Sequence, residues 1–145
     1  MSIDNQPPTL VLQDANDDEA APYVLEDQIG FLLRLAMQRH YGIFQDLMVA
    51  DLTPAQFACL VKLSDDGAQS QNRLGRLIAL DTATIKGVVD RLGNAGLVET
   101  SLDARDRRRI VVALTQRGRD TVTAAKTQGR QITEQTLAPL TAQEQ

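Results

Sequence analysis

The chain has 145 residues, which is enough for one domain with a hydrophobic core. It contains no run of 18 or more apolar residues, and its first residues are polar and acidic, so the sequence indicates neither a membrane span nor a secretory signal. Cys59 is the only cysteine and cannot form an internal disulfide, which predicts a reducing, cytoplasmic location.

Charge is distributed unevenly along the chain. The net charge is −4, yet residues 1–27 hold seven acidic and no basic side chains, while residues 68–120 hold ten basic and six acidic ones. Contact with phosphate depends on the local field rather than on the overall charge. We therefore expect an acidic, disordered tail over residues 1–22 and any nucleic-acid surface in the middle of the chain.

The first predicted element is a long helix over residues 25–50. Apolar residues recur along it with a period of 3.6, which predicts an amphipathic helix with one apolar face. That face comprises Ile29, Leu32, Leu33, Ala36, His40, Ile43, Phe44 and Leu47.

A second helix is predicted to begin after Thr53. Thr53 can cap it, Pro54 suits its first turn, and Gln56 stands where a capping box needs it. Its apolar residues fall on two nearly opposite sides: Phe57, Leu60 and Val61 on one, and Ala55, Cys59 and Leu63 on the other. Such a helix is expected to be central, packed between two layers.

Three helices and two strands are predicted after it. Ser70 can cap a short third helix, and a turn at residues 79–81 leads to a fourth helix over 82–94. The fourth helix carries an apolar stripe of Ile85, Val88, Val89 and Leu92. Residues 97–100 and 110–114 predict strands, Thr115 can cap a fifth helix to about Leu137, and residues 141–144 offer one more capping box.

Two short helices joined by a tight turn and followed by a hairpin predict a winged helix-turn-helix. The fourth helix could enter a major groove, because its outward face is polar. The expected contacts on the two helices are Ser70, Asn72, Arg73, Thr82, Thr84, Lys86, Gly87 and Arg91. The alternative interpretation is an ordinary solvated helix face.

The hairpin loop is the stronger indication of DNA binding. It carries four arginines, Arg105, Arg107, Arg108 and Arg109, together with Asp103 and Asp106. Arginine on a two-stranded wing suits the minor groove, and Arg105 near the loop tip is the candidate for insertion. Asp103 or Asp106 would orient it or brace a neighbouring arginine, although a self-paired surface loop is the alternative.

The sequence from residue 25 to residue 145 resembles the MarR family of winged-helix transcriptional regulators. The resemblance rests on Thr84-Ile85, Gly87, Leu92, Gly96-Leu97-Val98, Asp106-Arg107-Arg108, Thr115 and Gly118 at the family's spacings. Gly93 departs from the pattern, because an acidic or β-branched residue is usual there.

The resemblance implies a mainly α fold with a small β-wing and a homodimer. Residues 23–52 would form an N-terminal dimerisation helix, residues 53–115 the DNA-binding module, and residues 116–145 C-terminal dimerisation helices that look truncated. Two winged modules would straddle a pseudo-palindromic operator in double-stranded DNA. Repression relieved by a small ligand is what such a resemblance implies.

A ligand is expected between the dimerisation helices and the winged module. The candidate residues are Arg39, His40, Ile43, Phe44, Phe57, Cys59 and Arg73. His40 could bond the ligand or could simply be a packed, hydrogen-bonded core residue. Residues 30–36 (GFLLRLA) and 70–77 (SQNRLGRL) resemble a subgroup controlling breakdown of aromatic acids, which implies an aromatic or aromatic acyl-CoA effector such as p-coumaroyl-CoA.

The sequence also bears on three other functions. A redox switch at Cys59 is disfavoured because no basic residue is near it in the sequence. An enzyme is disfavoured because the sequence offers no metal-ligand cluster, cofactor motif or catalytic triad. A winged helix that binds another protein is the stronger alternative, but it would not be expected to carry clustered arginines.

Overall fold

The computed structural model describes residues 21–144, so the predicted acidic tail lies outside the described residues apart from its last two positions. The described part contains helices α1 (Ile29–Leu47), α2 (Pro54–Asp66), α3 (Gln71–Leu77), α4 (Thr82–Asn94) and α5 (Gln116–Leu137), with strands β1 (Gln69–Ser70), β2 (Val98–Leu102) and β3 (Ile110–Leu114). The predicted mainly α fold with a small β-wing is confirmed.

The single helix predicted over residues 25–50 is wrong in its bounds. Leu25–Asp27 and Val49–Asp51 are short 3-10 turns, and the backbone is extended at Gln28 and Met48 on either side of α1. Breaking the helix at Met48 lets the chain turn so that Met48 and Leu52 are both buried. The turn is tight enough that Ala50 has a φ of 57°.

Only the C-terminal half of α1 packs into the core. Phe44 is buried and Ile43 and Leu47 pack against the core, but Ile29 is 71% exposed and Leu33 is 58% exposed. The predicted apolar stripe is therefore buried at its C-terminal end and exposed at its N-terminal end. Within one chain, α5 and the winged module cover only its last turns.

Helix α2 occupies the centre of the molecule, as predicted. Thr53 and Gln56 form the predicted capping box, with the Thr53 N–H donating to Gln56 Oε1 at 2.8 Å. Cys59 and Leu60 are fully buried, and the helix contacts α3, α4, α5 and β3. Burial on both sides explains why its apolar residues occupy two faces.

The three strands form an antiparallel sheet in the order β1-β3-β2. Strand β2 ends at Leu102 rather than at residue 100, so the wing loop is residues 103–109. Strand β1 was not predicted; it pairs Ser70 with Val111, and α3 starts at the next residue. The base of the wing is thereby attached to the start of α3.

Helix α5 has the predicted extent and buries Val122, Ala125 and Ile132. Beyond it, the Thr141 N–H and hydroxyl both donate to the Glu144 carboxylate at 2.8 Å. These bonds lower the pKa of Glu144. The bond from the Thr141 N–H to the Glu144 side chain is one of the two bonds of the predicted capping box, but here it closes a turn.

Candidate nucleic-acid interface and adjoining cavity

Helix α4 has the amphipathic form that a groove-binding helix needs. Its four predicted apolar residues, Ile85, Val88, Val89 and Leu92, are all buried. Asp81 caps it by accepting from the Thr84 N–H at 2.8 Å and from the Thr84 hydroxyl at 2.7 Å, and these bonds lower the pKa of Asp81. Thr84 is exposed, but its hydroxyl hydrogen is already used inside the cap.

The outer face of α4 is partly self-paired. Lys86 Nζ lies 2.7 Å from Asp90 Oδ2, so this predicted DNA contact would have to leave its partner to reach a phosphate. The Arg91 guanidinium lies over Gly87, because a Cβ on that glycine would be 3.5 Å from Arg91 Nη1. That is an ordinary contact distance, so the position of Arg91 does not require a glycine there. Arg91 has no ion-pair partner within residues 21–144.

The wing loop is ordered by its own aspartates. Asp103 Oδ1 accepts from the Arg105 N–H at 2.7 Å and the Asp106 N–H at 3.2 Å. These backbone bonds, with smaller contributions from the Arg109 and Arg105 charges, lower the pKa of Asp103. Asp103 thus shapes the backbone of the loop, which differs from the expected role of holding an arginine side chain.

Asp106 neutralises only two of the four wing arginines. Its carboxylate lies 3.2 Å from Arg108 Nε and 3.4 Å from Arg109 Nε. Arg105 and Arg107 are exposed and make no ion pair within the described part of the chain. The loop therefore pairs only part of its own positive charge.

A polar cleft of about 350 Å³ lies between α3 and the base of the wing. It is lined by Ser70, Gln71, Asn72, Arg73, Arg76, Arg108, Arg109 and Ile110. It thus joins the predicted contacts on α3 to two of the predicted contacts on the wing. Arg76 was missed from the sequence, although its spacing of three from Arg73 places both on one helix face.

A larger, more apolar cavity of about 930 Å³ lies between α2, the end of α3 and α5. Phe57, Ala58, Val61, Leu77 and Ile78 form its apolar wall. Lys62, Asp65, Lys126, Gly129, Arg130, Thr133 and Glu134 complete the lining. The cavity lies between the winged module and the long C-terminal helix, which is where the family resemblance predicts a ligand.

Of the predicted ligand residues, only Phe57 lines this cavity. Phe44 packs behind Phe57, with 6.1 Å between ring centroids, and His40 lies 6.3 Å from Phe44. Ile43 packs against the core beside them. Arg39 donates to the Gln135 carbonyl at 2.9 Å. Arg73 is placed instead in the polar cleft beside the wing.

His40 connects α1 to α5. The Thr136 hydroxyl donates to the Ile132 carbonyl at 2.7 Å, so its oxygen accepts from His40 Nδ1 at 3.0 Å. A neutral His40 therefore carries its proton on Nδ1. This arrangement fits the interpretation of His40 as a packed, hydrogen-bonded residue.

Cys59 lies in the core, away from the cavity surface. Its side chain has no exposed area, and burial raises the pKa of the thiol to about 12. The reactive form of cysteine is the thiolate, which is scarce at neutral pH with such a pKa. This environment suits a structural thiol rather than a redox switch or a ligand contact.

Within residues 21–144, no helix is long and apolar enough to cross a membrane, and no group of histidine, cysteine and carboxylate side chains could hold a metal ion.

A helix-turn-helix, a basic antiparallel wing and long flanking helices define a winged-helix DNA-binding protein.

Comparisons with known proteins agree with this class. The MarR family model matches residues 52–110. The transcriptional repressor NicR of Pseudomonas putida is 43% identical over 124 residues, which cover 85% of this chain and 78% of NicR. The chain therefore belongs to the MarR family of transcriptional regulators, and members of this family are regulators rather than enzymes.

Two solved structures share both the fold and much of the sequence. A probable transcriptional regulator from Pseudomonas aeruginosa has a TM-score of 0.80 and 49% identity, covering 83% of this chain and 91% of that one. Bordetella bronchiseptica BpsR, whose DNA binding is regulated by 6-hydroxynicotinic acid, has a TM-score of 0.80 and 41% identity, covering 86% and 89%.

Proposed function

We propose that this protein is a dimeric repressor that binds a pseudo-palindromic operator and is released from it by a small aromatic acid. The observation that carries the DNA-binding part is the pair of unmatched wing arginines, Arg105 and Arg107, beside a helix with a polar outer face. Clustered, unneutralised guanidinium groups favour an anionic partner. The comparison with NicR, which is a repressor, supports the sign of regulation.

A homodimer is supported by the apolar surface that a single chain leaves exposed. Ile29, Leu32, Leu33 and Met37 on α1 are exposed, as are Tyr23 and Leu25 just before it. A contiguous exposed apolar patch is typical of a protein interface. A second copy covering α1 would also double the DNA-binding surface with the two-fold symmetry of a pseudo-palindrome.

Replacing Leu33 by glutamate should therefore weaken the dimer. A buried carboxylate without a partner is costly, so sedimentation should show a shift toward monomer. Gln38→Glu is the control, because it adds the same charge on α1 at an exposed polar position. A wild-type chain that sedimented as a monomer while binding its operator tightly would contradict the dimer.

The effector is proposed to occupy the cavity between α2 and α5. An aromatic ring could lie against Phe57 and Val61. Its carboxylate could reach Lys62 on α2, or Lys126 or Arg130 on α5, which also line the cavity. Pockets with apolar walls and a few polar groups are typical ligand sites. The apolar wall with basic side chains nearby and the regulation of BpsR by 6-hydroxynicotinic acid both support an acid of this kind.

Lys126 links this cavity to the orientation of the winged module. Its Nζ donates to Asp65 Oδ1 at 2.6 Å and to Ser64 Oγ at 3.1 Å, which ties α5 to the end of α2. An effector carboxylate at Lys126 would compete with Asp65 for the same ammonium group. The effector would thus replace one contact between α5 and α2, the helix to which the rest of the winged module is attached.

The test is an operator-release assay on DNA from just upstream of the gene. 6-Hydroxynicotinate should release the wild-type protein, and Lys126→Gln should need roughly tenfold more of it, since a hydrogen bond to a charged group contributes about 1.5–3 kcal/mol. Asp65→Asn is the matched control. It breaks the same ion pair but keeps the ammonium group, so release should need the same or less effector.

Other outcomes of this assay would redirect the proposal. Release by p-coumaroyl-CoA and by no free acid would replace the small acid with an acyl-CoA effector. Equal responses of the Lys126→Gln and wild-type proteins would remove Lys126 from the site. A chain that bound no DNA in a sequence-dependent way would instead fit the protein-interaction alternative.

A further inference from the structure

The polar cleft between α3 and the base of the wing is lined by more positive charge than the acidic side chains nearby neutralise. Four arginines line it, Arg73 and Arg76 from α3 and Arg108 and Arg109 from the wing, and no acidic side chain is among its lining residues. Like charges gathered around one space repel each other unless an anion is present. The cleft therefore has the charge pattern of an anion site.

The hydrogen-bonding capacity of these arginines is largely unused. Asp106 lies outside the lining and engages only the Nε atoms of Arg108 and Arg109, which leaves their terminal amino groups available. Arg73 and Arg76 make no ion pair within residues 21–144. Each free guanidinium edge offers two parallel N–H donors, which is the geometry that matches phosphate oxygens.

Strand pairing explains why residues far apart in sequence share this cleft. Ser70 pairs with Val111 in the sheet, and the Ser70 hydroxyl then caps α3 by accepting from the Arg73 N–H at 3.4 Å. Arg76 lies one turn further along the same face of α3. The short strand β1 thus fixes the distance between α3 and the wing base, so the two sides of the cleft do not depend on the tip of the wing.

We propose that Arg76 on α3 and Arg109 on the wing hold one and the same phosphate of the DNA backbone. This clamp rests on the proposed operator binding and adds a residue, Arg76, and a positioning role to it. A phosphodiester has two unesterified oxygens, so it can accept one guanidinium group from each side. Gripping a single phosphate from both elements sets the angle at which the wing meets the DNA, while Arg105 and Arg107 remain free for the groove.

The salt dependence of operator binding distinguishes one shared phosphate from two separate ones. Each neutralised phosphate contributes about −0.9 to the slope of log affinity against log salt concentration. If Arg76 and Arg109 share a phosphate, the double variant Arg76→Ala/Arg109→Ala should flatten the slope by about one in total. Each single variant should then leave the slope nearly unchanged, because the other arginine still neutralises the phosphate. Two separate phosphates would instead give a change of about one for each single variant and about two for the double variant.

Neutral methylphosphonate linkages placed singly along the footprinted operator identify the phosphate directly. At one position per half-site, the linkage should remove the effects of Arg76→Ala and of Arg109→Ala alike. Arg76→Lys should keep the salt slope but bind more weakly, because an ammonium group cannot fork across two oxygens. Circular dichroism should show that these exposed substitutions leave the fold intact.

Two results would overturn the clamp alone. One is a double variant Arg76→Ala/Arg109→Ala whose salt slope is flattened by about two, or not at all, in a protein that still binds its operator. The other is a methylphosphonate scan in which Arg76 and Arg109 lose their effects at different positions. A wild-type chain without salt-dependent operator binding would contradict the proposed function, and the clamp with it.

Discussion

Replacing both Arg105 and Arg107 by alanine is expected to lower operator affinity on the order of a hundredfold and to flatten its salt dependence. These are the two wing arginines that Asp106 leaves unpaired, so their charges are available to DNA without breaking an internal contact. Fluorescence anisotropy at several salt concentrations measures both quantities. The loop should keep its shape, because Asp103 holds it through backbone N–H groups that alanine retains.

Arg34→Ala is the control for the loss of one positive charge. It is compared with each single wing variant at protein concentrations at which sedimentation shows a dimer. Arg34 lies on α1, with its guanidinium 5.0 Å from the centre of the Phe31 ring, outside the wing and both helices of the helix-turn-helix. It should leave the affinity and the salt slope nearly unchanged. Equal losses in the control and the wing variant would mean that total charge, rather than the wing, governs binding.

The parts of the interface that the sequence predicts well are those built by local rules. The stripe of Ile85, Val88, Val89 and Leu92 follows from helical periodicity alone, and all four residues are buried. The caps at Thr53, Ser70 and Thr115 are equally local, since each side chain accepts from an N–H three residues ahead. The arginine-rich loop is visible because charge clustering needs no tertiary information.

The parts that sequence reasoning missed depend on contacts between distant segments. Strand β1 has only two residues and exists because it pairs with β3, so it carries no period of its own. The polar cleft lined by Arg76 follows from that pairing. The predicted effector residues lie in different places for the same reason. Periodicity places Arg73 and Cys59 on helices, but only the packing of the helices shows that Arg73 lies beside the wing and Cys59 in the core.

A second large effect is expected from Gly118→Ala at the start of α5. The N–H of Gly118 donates to the Thr115 hydroxyl oxygen at 3.0 Å, and that hydroxyl donates to the Gly96 carbonyl at 2.7 Å. The Thr115 N–H donates to the Leu97 carbonyl at 3.1 Å. The first turn of α5 is thereby pressed against the backbone that enters β2, where a Cβ on Gly118 would collide with the Leu97 carbonyl oxygen.

That collision involves backbone, so no side-chain rotation relieves it. Either α5 or the segment leading into the wing must shift, and we expect a loss of about 3 kcal/mol in the free energy of unfolding, measured by urea denaturation. Gly93→Ala is the control: a Cβ there meets nothing within 4 Å, and alanine should stabilise α4 by up to about 1 kcal/mol. An unchanged unfolding midpoint for Gly118→Ala would contradict the close packing.

A destabilised variant that still folds at low temperature should also bind its operator more weakly, because the same junction sets where the wing begins relative to α5.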